Sequence, residues 1–499
     1  VLAACAPLPP PEEGGEGTLA GAFARGTLVP RVSAGRPDAA GLSLHVHWAT
    51  GRTYVLEVAR DAQGRESRRL TARDASGQVA WRREPAPGLW YTDVAVHPSG
   101  ELTVGVEDRG AARNAFALLR LSADADVLGE QPLAAPATLP PGDVRAPLPP
   151  APFAMLGVPG GALVAGWRPW LQLEARGEGV VAAVLSQTLR ADGSASGSGL
   201  VSAVVALGWR EGAYREEWAR VVDGAQSLVN ISWIYDDFLW LDAATRLLLA
   251  VGPGGEVVVG RTLPGDRCQS LEDFGEMTDA ACRRLGNRNS EHRYQPFAFT
   301  RFSAAGERLG SGVLAPEGLE EFVVFDMALG EGGRLAVAGS AVKQGPELDP
   351  LYYFEPSDPH RTPLMPYDGY LAVLSLQGAE VLREAWVDLG RGELLSAVRW
   401  TEEGLLAAGG ADWDRWHGGM SLSRGADPLL VLLPHAGGEA RVRRLQVDAL
   451  HRHATLLGVE ALGGGVVSAV GLFDAPMTHS GDGGRREEMT FGGLQLELR

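Results

Sequence analysis

GGRLAVAGSA at residues 332–341 and, after a polar insertion, DGYLAVLSLQGAEVL at 368–382 decide the fold. The first is a glycine turn feeding a short aliphatic run that ends in glycine. The second is a more polar pair of runs around a Gln-Gly turn. The phrase recurs as SGELTVGVED at 99–108, GGALVAGWRP at 160–169, GGEVVVGRTL at 254–263, EGLLAAGGAD at 403–412 and GGGVVSAVGL at 463–472. A fainter copy, TGRTYVLEVA, begins at Thr50. Runs of four or five aliphatic residues bounded by turns read as strands buried on both faces. Each phrase follows another such run, making a tight hairpin, and most are succeeded by a second, half-exposed hairpin.

Two buried strands followed by two outer ones make a four-stranded antiparallel blade. Seven copies of a unit that cannot bury its own faces predict an all-β chain folded as a seven-bladed β-propeller. A six-bladed ring is the alternative, because the first copy is faint and residues 171–223 are irregular. The final segment, FGGLQLELR at 491–499, lacks a last outer strand, and residues 17–32 are expected to supply it and close the ring with both ends of the chain. The expected organisation is a residual signal peptide over 1–4, a lipidated flexible tether over 5–17 and one propeller over 18–499.

The net charge of -17 argues against nucleic acid as a partner. Lys343 is the only lysine among the 45 Lys and Arg residues, which reads as GC-rich coding. No run of about 18 apolar residues is available to span a membrane. Leu2-Ala3-Ala4-Cys5 resembles the lipobox of bacterial lipoproteins, in which small residues precede a cysteine that carries the lipid. That resemblance implies lipidation at Cys5. The Pro/Gly/Glu-rich segment that follows has the composition of an unfolded tether. In an oxidising compartment the other two cysteines, Cys268 and Cys282, are expected to pair as a staple across one long loop.

The order "VAG, long loop, Asp-Gly-aromatic strand, short turn" resembles the bacterial propeller repeats called SBBP repeats. This resemblance implies an exported or surface protein and brings no catalytic residue set. The implied location is the bacterial outer membrane or cell surface, with periplasm or secretion otherwise. ARDASGQVAW at 72–81 is similar to a repeat of quinoprotein propellers, but it occurs once and the cysteine pair of those enzymes is absent. Trp81 is therefore expected to pack between blades.

Insertions at 168–199, 261–296, 341–367, 411–426 and 473–490 are all assigned to connections between inner and outer hairpins, hence to one face of the disc. Such loops on a rigid scaffold are where binding residues concentrate. The candidate binding face comprises Tyr352, Tyr353, Phe354, His360, Tyr367, Asp412, Trp413, Asp414, Trp416, His417 and His479. Asp474, His479 and Asp482 offer the one cation site the pattern suggests, although the alternate carboxylates of a calcium loop are missing. No other cofactor is implied, and no GxSxG, HExxH, P-loop or paired CxxC occurs. The leading reading is a non-catalytic scaffold that binds another envelope or extracellular protein, a matrix polysaccharide or a neighbouring cell through this face, with the membrane met through the lipid anchor only. The alternative is an extracellular glycan or small-molecule hydrolase or lyase using Asp and His of the same loops, its catalytic residues unknown.

Overall fold

Short aliphatic runs punctuated by glycine can satisfy their backbone only by pairing with one another, and the chain does so in consecutive antiparallel hairpins. The structure, a computed structural model, describes residues 18–25, 28–30, 39–47, 49–60, 66–108, 115–133, 144–146, 171–189, 195–227, 247–262, 297–314, 316, 319–343, 367–389, 393–411, 427–435, 437–445, 453–479 and 486–498. Helix α1 (Leu19–Arg25) and strand β1 (Leu28–Pro30) come first. The first sheet is β2 (Ala39–His47), β3 (Arg52–Arg60), β4 (Glu66–Arg73) and β5 (Val79–Arg83). The second is β6 (Leu89–Val96), β7 (Leu102–Asp108), β8 (Ala115–Leu121) and β9 (Val127–Pro132).

The third sheet has five strands: β10 (Val144–Ala146), β11 (Leu171–Arg176), β12 (Gly179–Leu189), β13 (Ala195–Arg210) and β14 (Ala213–Ser227). The fourth is β15 (Leu247–Val251), β16 (Val257–Thr262), β17 (Phe297–Phe302) and β18 (Arg308–Leu314). The fifth is β19 (Leu319–Gly330), β20 (Arg334–Lys343), β21 (Tyr367–Ser375) and β22 (Val381–Val387). The sixth is β23 (Glu393–Trp400), β24 (Gly404–Ala411), β25 (Asp427–Pro434) and β26 (Arg441–Arg444). The last is β27 (His453–Gly463), β28 (Val466–His479) and β29 (Arg486–Leu498), with β1 beside β29 and Leu28 opposite Leu498.

The chain is thus an all-β propeller with four-stranded antiparallel blades. Six sheets have the expected four strands, where seven were expected. In the third, β10 and β11 pair with successive stretches of the same edge of β12, at Gln187–Leu189 and Gly179–Val184, so two short strands share one place. This corrects two sequence expectations. Residues 171–223, read as irregular, are mostly regular strand, and 168–199 holds an inner hairpin, not a loop. The phrase at 160–169 lies outside the described residues.

Burial follows strand position. Every residue of β24 is buried, as are six of the eight in β25, while the outermost strands β5, β9 and β26 are exposed or half-exposed throughout. Each wholly buried Leu or Val contributes about 1.5–3 kcal/mol. Close approach of β23 to β24 requires glycine at 409, where a methyl group would collide with the Leu394 carbonyl. Innermost strands pack in succession, β2 on β6, β6 on β11, and so on to β23 on β27, with β27 also against β2.

Adjacent sheets are stitched by a repeated device. Trp81 donates its indole N–H to the Ala123 carbonyl of the second sheet at 2.9 Å, and Arg52 donates to the same oxygen. Trp218 and Arg176 of the third sheet do likewise to Ala304 of the fourth, at 2.9 and 2.7 Å. Trp81 therefore sits between sheets, as expected.

Candidate functional site

The innermost strands converge on a narrow chamber of about 60 Å³, lined from β2, β6, β11, β15, β19, β23 and β27. In six of these strands one ionisable residue interrupts the apolar run, giving His45, Asp93, Glu174, Asp326, Arg399 and Glu460. In β15 the chamber is faced instead by Leu249. β-Bulges help aim these side chains: register slips fall between Gly41 and Ser43, Tyr91 and Val94, Val324 and Asp326, Leu395 and Ala397, and Leu456 and Gly458.

The acids are tied across sheets. Asp93 accepts the Leu173 backbone N–H at 2.8 Å, and Asp326 accepts that of Val398 at 2.9 Å. Arg399 bridges Asp326 at 3.0 Å and Glu460 at 2.9 Å. The His45 ring lies 3.9 Å from Asp93 and 3.0 Å from the Ser43 hydroxyl. Burial, reinforced by the Arg399 charge, lowers the pKa of His45 to about 3, so its imidazole is neutral at physiological pH. Desolvation, with the charges of Asp93, Asp326 and Glu460, raises the pKa of Glu174 against the pull of Arg399, while the residue itself stays exposed along the axis. Burial likewise raises Glu460, opposed by Arg399. Burial disfavours the charge on Arg399, yet Asp326, Glu460 and Glu174 together hold it above its usual range.

A neutral imidazole, a carboxyl of raised pKa and an ion-paired guanidinium could move or hold a proton on a small group. The volume decides what group: about 60 Å³ holds on the order of two water molecules.

A second cavity, of about 600 Å³, opens at the tight-turn face between the third and fourth sheets. Glycines line it on both sides, among them Gly177, Gly179, Gly252 and Gly254, with Arg176 paired to Glu217 at 2.7 Å. Elsewhere, Asp368, Asp388 and Glu393 bring carboxylate oxygens within 4.8 Å of one another, the one such grouping among the described residues. Their hard oxygen donors suit a divalent cation in type and spacing.

The sequence-derived binding face is not assembled here. Cys5, Cys268, Cys282, Tyr352, Tyr353, Phe354, His360, Asp412, Trp413, Asp414, Trp416, His417 and Asp482 lie outside the described residues. Tyr367 opens β21 opposite Val342. Asp474 and His479 belong to β28, opposite Phe491 and Arg486, so much of the insertion expected at 473–490 is paired strand. Sequence reasoning passed over the axial residues, yet a signal was present: LHV at 44–46, TDV at 92–94, LEA at 173–175, FDM at 325–327, VRW at 398–400 and VEA at 459–461 each place one ionisable residue inside an inner strand.

No protein-family model matches the chain, and no curated protein is similar to it. Among solved structures, the acylaminoacyl peptidase of Pyrococcus horikoshii is 8% identical over 93% of this chain and 52% of its own length, with a TM-score of 0.41. The chain thus spans about half of that peptidase. The β-propeller domain of the Trilobed protease from Pyrococcus furiosus, described as having an open velcro topology, is 7% identical over 91% of this chain and 98% of its own, with a TM-score of 0.39. A Bacteroides caccae protein of unknown function is 10% identical over 69% and 81%, with a TM-score of 0.31.

Proposed function

We propose that this chain is a non-catalytic propeller scaffold of a bacterial envelope, lipid-anchored at Cys5, that binds an envelope protein or polysaccharide through one face. In this reading the five-stranded sheet serves as a seventh blade, β1 on β29 joins the ends of the ring, and Cys268 pairs with Cys282. One observation carries the choice of face. Residues 263–296, 344–366 and 412–426 connect the second and third strands of the fourth, fifth and sixth sheets, and alternation of strand direction sends all three from the same side of the disc. The opposite side has tight turns such as 97–101 and 252–256. The small axial chamber speaks for recognition by that elaborated face, since a buried substrate has no room.

The convergence of His45, Glu174 and Arg399 on the axis favours the second reading, an enzyme acting on a small molecule. Native mass spectrometry of the full chain, extracted in detergent from its own membranes, separates the two. A kilodalton-scale adduct lost on deletion of residues 344–366 is the expected result. A small-molecule adduct abolished by Glu174→Gln would overturn it in favour of chemistry at the axis. A mass without diacylglycerol would remove the anchor.

A further inference from the structure

The outermost strands carry a pattern that neither reading uses. Val79, Val127, Leu128, Leu309, Val381, Leu382 and Val442 are each 38–51% exposed. They are the first or second residues of β5, β9, β18, β22 and β26, directly after the turn from the third strand. Of the large hydrophobics exposed among the described residues, only Leu389 lies elsewhere. Scattered exposed aliphatics are ordinary, but the same place in five outer strands is not scatter. Edge strands are usually blunted by charge at such places. Strand order puts these residues where the tight-turn face meets the circumference, so they form a belt around one rim.

We propose that this belt seats the tight-turn face of the propeller flat on a lipid bilayer. A belt spread around the axis can be met all at once by a plane, whereas a globular partner would cover one arc of it. The place where α1 begins agrees. The Leu19 and Ala20 backbone N–H groups donate to Glu403, in the β23–β24 turn, at 2.5 and 3.0 Å, and Leu19, Ala22 and Phe23 are buried against the sixth and last sheets. The first turn of α1 therefore lies at the tight-turn face. If Cys5 is lipidated, as the proposed anchor requires, residues 5–17 span at most about 45 Å. The belt is mixed in charge, with Asp124, Asp126, Glu307 and Glu380 in the turns and Arg82, Arg308 and Arg441 on the strands, so the surface it fits is zwitterionic, not anionic. The face bearing the long connections then points away from the membrane, toward soluble or opposing partners.

The test uses the full chain carrying Cys5→Ser, so that no lipid contributes, floated with phosphatidylethanolamine/phosphatidylcholine vesicles. The Cys5→Ser chain is expected to float, and adding Val127→Ser, Leu128→Ser, Val381→Ser and Leu382→Ser should cut the bound fraction at least tenfold with an unchanged melting temperature. A Cys5→Ser chain that stays free of vesicles, while the natural chain carries lipid and floats, sinks the belt and leaves the anchor standing. A natural chain without lipid whose Cys5→Ser form still floats does the reverse. Loss of a dimer on the same four substitutions, without vesicle binding, would reassign the belt to contact between copies and overturn the proposal.

Discussion

The turns at 97–101, HPSGE, and 252–256, GPGGE, share one backbone and two different fates. In the first, His97 N–H bonds to Glu101 and Gly100 N–H to His97, both at 2.9 Å. In the second, Gly252 and Gly255 make the same pair at 2.8 and 2.9 Å. Both turns place glycine at the position with positive φ, +85° at Gly100 and +78° at Gly255. Side chains then separate them. His97 donates from Nδ1 to the Gly177 carbonyl of the third sheet at 2.9 Å, and Ser99 donates to Glu178 through its N–H and hydroxyl at 3.0 and 2.7 Å. Beneath them the fully buried Arg120 joins Glu101 and Glu178 at 2.7 and 2.9 Å and stacks on Trp209. At 252–256 the histidine and serine are both replaced by glycine, and a cleft of about 600 Å³ borders the turn. The backbone of a tight turn is thus set by one glycine, while its side chains decide whether the turn is tied to the following sheet.

The sharpest way to break this comparison is Arg120→Met. It removes the charge-assisted hydrogen bonds of Arg120 to Glu101 and Glu178 and should cost about 3 kcal/mol by urea unfolding. Arg301 holds the corresponding place in β17 and bonds only the Leu376 carbonyl, so Arg301→Met should cost about 1 kcal/mol. Equal losses would mean that the seams do not differ energetically.

Acid should act next. Because its Nδ1 donates to a carbonyl, neutral His97 accepts from the Thr103 hydroxyl at Nε2, 2.6 Å away. Burial and the nearby Arg120 lower its pKa from 6.5 to about 4. The unfolded chain therefore binds the proton first, and stability present above pH 6.5 is lost as pH falls toward 4, by on the order of 3 kcal/mol. His97→Asn should flatten that window relative to the parent; an unchanged slope would exclude His97 as its source.

The smallest effect belongs to the open seam. Gly254→Ser enters space with no atom within 4 Å of the new Cβ, and Gly252→Ala meets chiefly the end of the Leu329 side chain, at 2.8 Å. Each should change stability by less than about 0.5 kcal/mol. A larger loss would mean that the cleft is tighter than its glycines indicate.

Repeated phrases such as GGRLAVAGSA revealed the hairpins because strands buried on both faces leave uninterrupted aliphatic runs. The third sheet is less legible because its inner hairpin, LQLEARGEGVVAAV at 171–184, is less regular than the phrase at 160–169, although glycine again makes the turn. Axial residues were hidden for the opposite reason. Asp326 or Arg399 alone in an apolar strand looks incidental, and only the ring arrangement sets them side by side. Aromatic and histidine content marks the loop residues from Tyr352 to His417, and such content says nothing about mutual distance.

The pairing of β1 with β29 makes assembly order part of the design. Leu28 meets Leu498 only after nearly all of the intervening chain has been made, and closing so long a loop costs about 5 kcal/mol of chain entropy. Until then the outer edge of β29 is an unclaimed template. In a crowded compartment the β1 of one molecule can reach the waiting edge of another, so exchange of this single strand is the error to which the chain is most open, and concentration during refolding should set how often it occurs.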